Sequence, residues 1–184
     1  MDLARLLFRI VLGGLFVGHG TQKLFGWFGG QGPKSTAQMM ESVDLRPGRA
    51  QALLAGATET GSGVLLAAGA ATPLAAAGIS GVMFTAVRKI HWKNSRWNTN
   101  GGYEYNAVIL AALAALVASG PGRFSLDAAR GRIRRGTRWW LAAFGAGAVG
   151  SSVAIALGKR RAEAETPSEH REQEAPEREL RRAA

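Results

Sequence analysis

The sequence predicts an all-α membrane protein: an antiparallel four-helix bundle, an added fifth C-terminal transmembrane helix and a polar tail. Nearly half of its 184 residues are hydrophobic and 25 are glycine, and the apolar residues lie in five stretches close to membrane-spanning length. All five tryptophans fall at or just beyond the ends of those stretches, where amphipathic rings favour lipid headgroups. These observations predict a multi-pass membrane protein.

The predicted spans follow one another with short connections. The first is expected to be a retained span and not a cleaved signal peptide, because no small-residue cleavage site follows its apolar run. Pro73 suits the first turn of the third span, and Gly120-Pro121-Gly122 ends the fourth. The expected bounds are 3–25, 51–71, 73–91, 103–119 and 139–157, with a short interfacial helix at 35–42.

The chain divides into four parts by composition. We expect a four-helix membrane domain at 1–127, an arginine-rich connector at 128–138, the additional transmembrane helix at 139–157 and a charged tail at 158–184 that is disordered or a solvated helix. The net charge of +10 belongs to the first 157 residues, because the basic and acidic residues of the tail balance. Basic residues at span ends favour anionic lipid headgroups over nucleic acid as their partner.

Cysteine is absent from the sequence. This excludes thiol relays, cysteine-bound metals, iron–sulfur clusters and disulfides. The sequence also has no flavin or nicotinamide fingerprint. Any redox role would therefore depend on a quinone, a haem or the chemistry of a partner protein.

Ionisable and polar residues gather at matching ends of the spans. A charged side chain near the middle of a membrane helix costs about 2.5 to 3.5 kcal/mol, so it usually has a partner or a function. An antiparallel bundle brings these residues to one side of the bilayer, where they form a candidate ligand pocket. The cluster comprises His19, Lys23, Glu59, Arg88, His91, Tyr103 and Glu104.

Glu59 is the central member of this cluster. Helical rise places both Glu59 and His19 about 12 Å inside their span ends, and Lys23 lies one turn from His19 on the same face. Glu59 can therefore take a hydrogen bond from either residue. The sequence leaves two interpretations open: an acid and base pair lining a polar pocket, or a clamp that joins the first two spans.

The other charged residues have competing interpretations. Arg88 is expected to face the bundle and hold a carboxylate, while Lys89 extends to the headgroups. Glu104 is explained equally well by helix capping, and Arg9 is expected to be a headgroup anchor. His19 and His91 differ in depth by about 10 Å, which argues against haem ligation, and no spacing indicates a metal site.

Small residues repeat every four positions along the spans, which predicts close helix packing within the bundle, with a homo-oligomer as an alternative use of one stripe. The stripes are Gly14 and Gly18; Ala77, Gly81 and Thr85; Ala107, Ala111, Ala115 and Ser119; and Ala146, Gly150 and Ala154.

Four segments together resemble the DoxX family of small bacterial membrane proteins. They are FVGHGTQKLFGWFGG (16–30), ATETGSGVLLAAG (57–69), GGYEYNAVIL (101–110) and GPGRFSLD (120–127). The resemblance implies a four-helix bundle in the bacterial plasma membrane, with 139–157 and the tail as additions. It also implies a subunit or membrane anchor of a quinone-linked oxidoreductase system that docks soluble redox enzymes. His19, Lys23 and Glu59 would then contact the quinone headgroup, with Tyr103 and Arg88 at the mouth.

The alternative function is a non-enzymatic membrane scaffold or integrity factor, which suits the small-residue stripes. A carrier for a small solute is less favoured, because the spans include no pair of broken helices. Charge alone leaves the membrane orientation open. With five spans, eight basic residues lie on the N-terminal side and eleven on the other, and the balance reverses to eleven against eight if 139–157 does not span. A cytoplasmic N-terminus is the expectation.

Overall fold

The described part of the protein consists of helices and the loops that connect them, with no strand. The computed structural model describes the backbone of residues 1–183 and the side chains of residues 1–164. A π-helical turn, Val87–His91, extends α4, and short 3₁₀ turns lie at Trp27–Gly29 and Asn98–Asn100. The helices are α1 (Asp2–Phe25), α2 (Gly32–Ser42), α3 (Gly48–Ala68), α4 (Thr72–Ala86), α5 (Glu104–Ser119), α6 (Leu126–Ala129) and α7 (Thr137–Ala183).

Two helices in this part of the chain are long and apolar enough to cross a membrane. They are α1, with 24 residues, and the first 28 residues of α7. Helix α5 is apolar but has only 16 residues, and α4 has 15 before its π-helical turn. The predicted helix positions agree with α1, α3, α4 and α5 to within a few residues. The predicted start at residue 139 agrees with that of α7, but α7 continues well beyond the predicted end at residue 157. Spanning by α3, α4 and α5 stays a prediction.

Helices α1 and α3 are antiparallel and pack closely, because glycines lie where they meet. A Cβ added at Gly13 would lie 2.5 Å from the carbonyl oxygen of Gly63, and one at Gly20 would lie 2.6 Å from that of Gly56. Each of these positions therefore allows one backbone to approach the other, as small residues do between membrane helices. The contact fixes the register of α1 against α3 and so positions the candidate site.

Helix α7 packs against the bundle along one face. Ala143 is 4% exposed and belongs to the same apolar cluster as the buried residues of α4 and α5. Gly147 lies against Gly81, and the Thr85 hydroxyl donates to Ser151 Oγ at 2.9 Å. The predicted stripe through Gly81 and Thr85 is thus confirmed as a packing face, and its partner is the fifth predicted span, which runs parallel to α4.

Other predicted stripes do not make the expected contacts. An added Cβ at Gly14, Gly18 or Gly150 would meet nothing within 4 Å. In α1 and α7 the packed face lies to one side of the predicted stripe and contains Gly13 and Gly147 instead. The α5 stripe is largely exposed, and its use in a homo-oligomer stays a prediction; its members are Ala107, Ala111, Ala115 and Ser119.

The predicted charged tail begins as a continuation of α7. Gly158–Ala164 are helical, which agrees with the solvated-helix alternative for this part of the tail. Gly158 is buried because it packs against the backbone of Asp44 and Leu45 in the connection between α2 and α3. The rest of the predicted tail, 165–184, lies outside the residues whose side chains are described.

Candidate functional site

The Glu59 carboxylate lies inside the bundle and is bonded to the first helix. Eleven residues of α3 precede Glu59 and nine follow it, so it is close to the middle of that helix. Its side chain is 4% exposed, and its Oε2 accepts a hydrogen bond from Lys23 Nζ at 2.6 Å. The prediction that Glu59 finds a cationic neighbour on the first span is confirmed.

The Lys23 ammonium has two acceptors. It also donates to the backbone carbonyl of His19 at 3.3 Å, one turn earlier in α1. Side chains of an α-helix lean toward its N-terminus, which lets an ammonium near the end of α1 reach inward to α3. Its side chain is 23% exposed, so the lysine is less enclosed than its partner carboxylate.

The His19 ring lies outside this ion pair. Its Nδ1 is 3.2 Å from Gln22 Oε1, and the residue is exposed. Of the two residues predicted as partners for Glu59, the structure therefore selects Lys23, and His19 contributes its backbone oxygen.

Arg88 and Lys89 project to different partners, as expected for adjacent helical residues. Arg88 is exposed and donates from Nη1 to Ser152 Oγ of α7 at 2.9 Å. The inward-facing role expected for Arg88 is therefore wrong, and its hydrogen-bond partner is a serine instead of a carboxylate. Lys89 forms an ion pair with Asp44 at 3.3 Å and does not extend freely to the headgroups. These two contacts tie α4 to α7 and to the connection between α2 and α3.

His91 and Glu104 organise the loop between α4 and α5. His91 Nδ1 lies 2.7 Å from the carbonyl oxygen of Gly101. Glu104 Oε2 accepts the backbone N–H of Asn98 at 3.0 Å. Glu104 lies in the first turn of α5, where a carboxylate is favourable, but its side chain closes the preceding loop and makes no capping hydrogen bond to α5.

An open aromatic cleft of about 650 Å³ lies at this end of the bundle, lined by Trp92, Ser95, Arg96, Trp97 and Tyr103. The rings of Trp92 and Tyr103 are stacked, with centroids 5.6 Å apart and planes at 19°. Its volume falls in the range typical of small-molecule sites. Tyr103 is the only member of the predicted cluster in the cleft. Sequence reasoning missed the others because tryptophan and arginine at a span end also suit lipid headgroups.

Arg9 is a buried residue whose role the sequence did not reveal. It is fully buried, its Nη1 donates to the carbonyl of Ala67 at 3.3 Å, and its Nη2 donates to the carbonyl of Phe124. The predicted headgroup anchor is wrong. Arg9 shares a helix face with Gly13 and Phe16, and that spacing was the available signal.

Asp127 completes a second polar cluster at the opposite end of the bundle. Its carboxylate accepts the backbone N–H groups of Ala71 at 2.8 Å and Thr72 at 3.0 Å, and the Thr72 hydroxyl at 2.9 Å. These groups begin α4, where a negative charge is favourable. Gly69 has a left-handed φ of 63°, and an added Cβ there would collide with Arg9. Arg9 and Asp127 thus join α1, the turn between α3 and α4, and α6.

No three His, Asp or Glu side chains in residues 1–164 converge closely enough to hold a metal ion.

Comparison with known proteins gives one finding. The DoxX family model matches residues 4–92, which include the Lys23 and Glu59 pair and exclude the aromatic residues after Trp92. No curated protein and no solved structure matches the chain. The match and the apolar helices agree in indicating a membrane protein. The match over residues 4–92 supports membership of the DoxX family.

Proposed function

We propose that this protein is a membrane subunit or anchor of a quinone-linked redox system. In this proposal the chain binds the quinone headgroup and docks a soluble redox enzyme at the plasma membrane. The aromatic cleft in the loop that joins α4 to α5 is the observation that carries the proposal, because its volume is in the range of small-molecule sites and two tryptophan rings line it.

The cleft offers the contacts that a quinone headgroup needs. The indole rings of Trp92 and Trp97 provide aromatic surfaces, and offset stacking on such surfaces contributes about 0.5 to 1.5 kcal/mol. The Arg96 guanidinium and the Ser95 hydroxyl are hydrogen-bond donors for the carbonyl oxygens of a quinone. A quinone bound there would supply the electron-carrying group, while the protein would bind and orient it.

The Lys23 and Glu59 pair has a supporting role in this proposal. It joins α1 to α3 inside the bundle, and it keeps two charges satisfied away from water. Its contacts are those of a clamp, which is one of the two interpretations that the sequence left open.

Binding of a short-tail ubiquinone analogue by the full chain in lipid nanodiscs tests the proposal. Trp97→Leu removes one aromatic wall, so we expect affinity to fall about tenfold by calorimetry. Trp27→Leu is the matched control, because Trp27 is 56% exposed outside the cleft and Trp97 is 62% exposed. Equal affinities for the wild type and both variants would contradict the proposal.

The second candidate function is a non-enzymatic membrane scaffold. It is favoured by the close glycine contact between α1 and α3, which builds a rigid surface without needing a ligand. A scaffold predicts that a protein partner co-purifies with the wild type and is lost with Glu59→Gln as the bundle loosens. It also predicts that the partner is retained with Trp97→Leu, whereas the quinone proposal predicts a loss of quinone from that variant.

A further inference from the structure

The end of the bundle that contains the N-terminus carries a dense group of arginines. Six of them are exposed between the end of α5 and the first turn of α7, and we call this group the arginine collar. Its members are Arg123, Arg130, Arg132, Arg134, Arg135 and Arg138.

Acidic side chains do little to neutralise the collar. Residues 1–9, 67–72 and 119–138 make up this end, and their two acidic residues are Asp2 and Asp127. Asp2 is bonded to Arg5 at 3.4 Å and to the backbone N–H of Arg123 at 3.2 Å. Asp127 is buried and used at the start of α4. At the opposite end, carboxylates form ion pairs with some of the cations, as Asp44 does with Lys89 and Glu163 with Lys159.

Large apolar side chains are interleaved with the arginines. Phe124, Leu126 and Ile133 are 50%, 43% and 49% exposed. The Arg123 guanidinium lies 5.0 Å from the ring centroid of Phe124, and that of Arg134 lies 5.3 Å from the ring centroid of Trp139. Alternation of cations with aromatic and aliphatic groups suits a bilayer interface, where the apolar groups are buried and the charges meet phosphates. An acidic soluble protein would match the charge and leave the apolar side chains exposed.

The collar is held in place by backbone bonds. The N–H of Arg132 donates to the carbonyl of Asp127 at 2.8 Å, and the N–H of Gly136 donates to that of Ala118 at 3.0 Å. The buried guanidinium of Arg9 donates a hydrogen bond to the carbonyl of Phe124. An ordered collar loses less conformational freedom on binding than a flexible basic segment would.

We propose that the arginine collar is a binding surface for anionic phospholipid headgroups. Guanidinium groups bind phosphate with two parallel hydrogen bonds, so several arginines can each engage a lipid phosphodiester. Each basic residue near an anionic surface contributes about a fivefold gain in affinity. The site is distinct from the aromatic cleft, which lies at the other end of the bundle.

Native mass spectrometry of the full chain with added phosphatidylglycerol or phosphatidylcholine tests the proposal. The wild type should retain phosphatidylglycerol in preference to phosphatidylcholine. The triple variant Arg132→Gln, Arg134→Gln, Arg135→Gln should lose about a hundredfold in that affinity. The matched control Lys34→Gln, Arg49→Gln, Lys93→Gln removes the same charge from exposed residues of the other end and should change it by less than about fivefold.

Three outcomes would overturn the proposal. The first is equal retention of the two lipids by the wild type. The second is an equal loss in both triple variants, which would indicate a response to net charge alone. The third is binding of polyglutamate by the collar with no preference for phosphatidylglycerol, which would indicate an acidic protein as the partner. Matching circular dichroism spectra and melting temperatures exclude unfolding as the cause of a loss.

Discussion

We expect single substitutions of Lys23 and of Glu59 to lower the free energy of unfolding by different amounts. Lys23→Met leaves a carboxylate that is 4% exposed without its cation. Removing one partner of a buried ion pair costs about 3 to 5 kcal/mol of unfolding free energy. Glu59→Gln leaves an ammonium that is 23% exposed, with the His19 carbonyl 3.3 Å away and the new amide oxygen as acceptors. We expect this change to cost about 1.5 to 3 kcal/mol.

The double variant Lys23→Met, Glu59→Gln should recover most of this loss. It contains neither charge and keeps similar side-chain volumes, and such replacements of buried pairs are often close to neutral. The double variant should therefore lie within about 1 kcal/mol of the wild type. The two single losses would then add to more than the double loss, which is the signature of a direct interaction.

Unfolding by sodium dodecyl sulfate in mixed micelles, followed by circular dichroism, measures these free energies. Lys93→Met is the control, because it removes an exposed lysine from the same end of the bundle. The reasoning is refuted if Lys23→Met costs no more than this control. It is also refuted if the double variant loses the sum of the two single losses.

Three further predictions concern packing and orientation. Gly69→Ala should cost about 1 to 3 kcal/mol more than Gly131→Ala in the same unfolding assay, because both residues have φ of 63° but only Gly69 would collide with a buried guanidinium. Gly147→Ala should lower the melting temperature, because the added Cβ would lie 2.9 Å from backbone atoms of α4. Gly145→Ala, where the added Cβ would meet open space, should leave the melting temperature unchanged or raise it. Equal effects of the two substitutions would contradict the docking of α7. Since the chain has no cysteine, Ala129→Cys should be labelled by a membrane-impermeant maleimide only from the cytoplasmic side if the collar faces that leaflet, and labelling only from outside would reverse the orientation.

The helix positions and the main ion pair could be predicted from the sequence. Apolar run length, Pro73 and the glycine stops located the helices, because these signals act within a few residues of the chain. The Lys23 and Glu59 contact followed from comparing depths along two antiparallel helices. The choice between Lys23 and His19 required the rotation of α1, which a pattern of spacing alone does not fix.

The burial of Arg9 and the packed positions of the small residues could not be predicted. Arg9 lies near a helix end, where a headgroup anchor and a buried clamp have the same sequence pattern. Its burial depends on the segment around Phe124, which is 115 residues away. Neighbouring faces of α1 both contain small residues, so the sequence could not distinguish Gly14 from Gly13 as the packed position. The structure shows which segment lies opposite each position, and so it identifies Arg9 as buried and Gly13 as packed.

Native mass spectrometry of the full chain, extracted from its own membrane in a mild detergent, tests the proposed function most directly. The account predicts an adduct with the mass of a quinone on the wild type and on Trp27→Leu, and its loss from Trp97→Leu. A wild type that carries no quinone adduct, or an adduct that is retained equally by all three proteins, would contradict the assignment of the aromatic cleft.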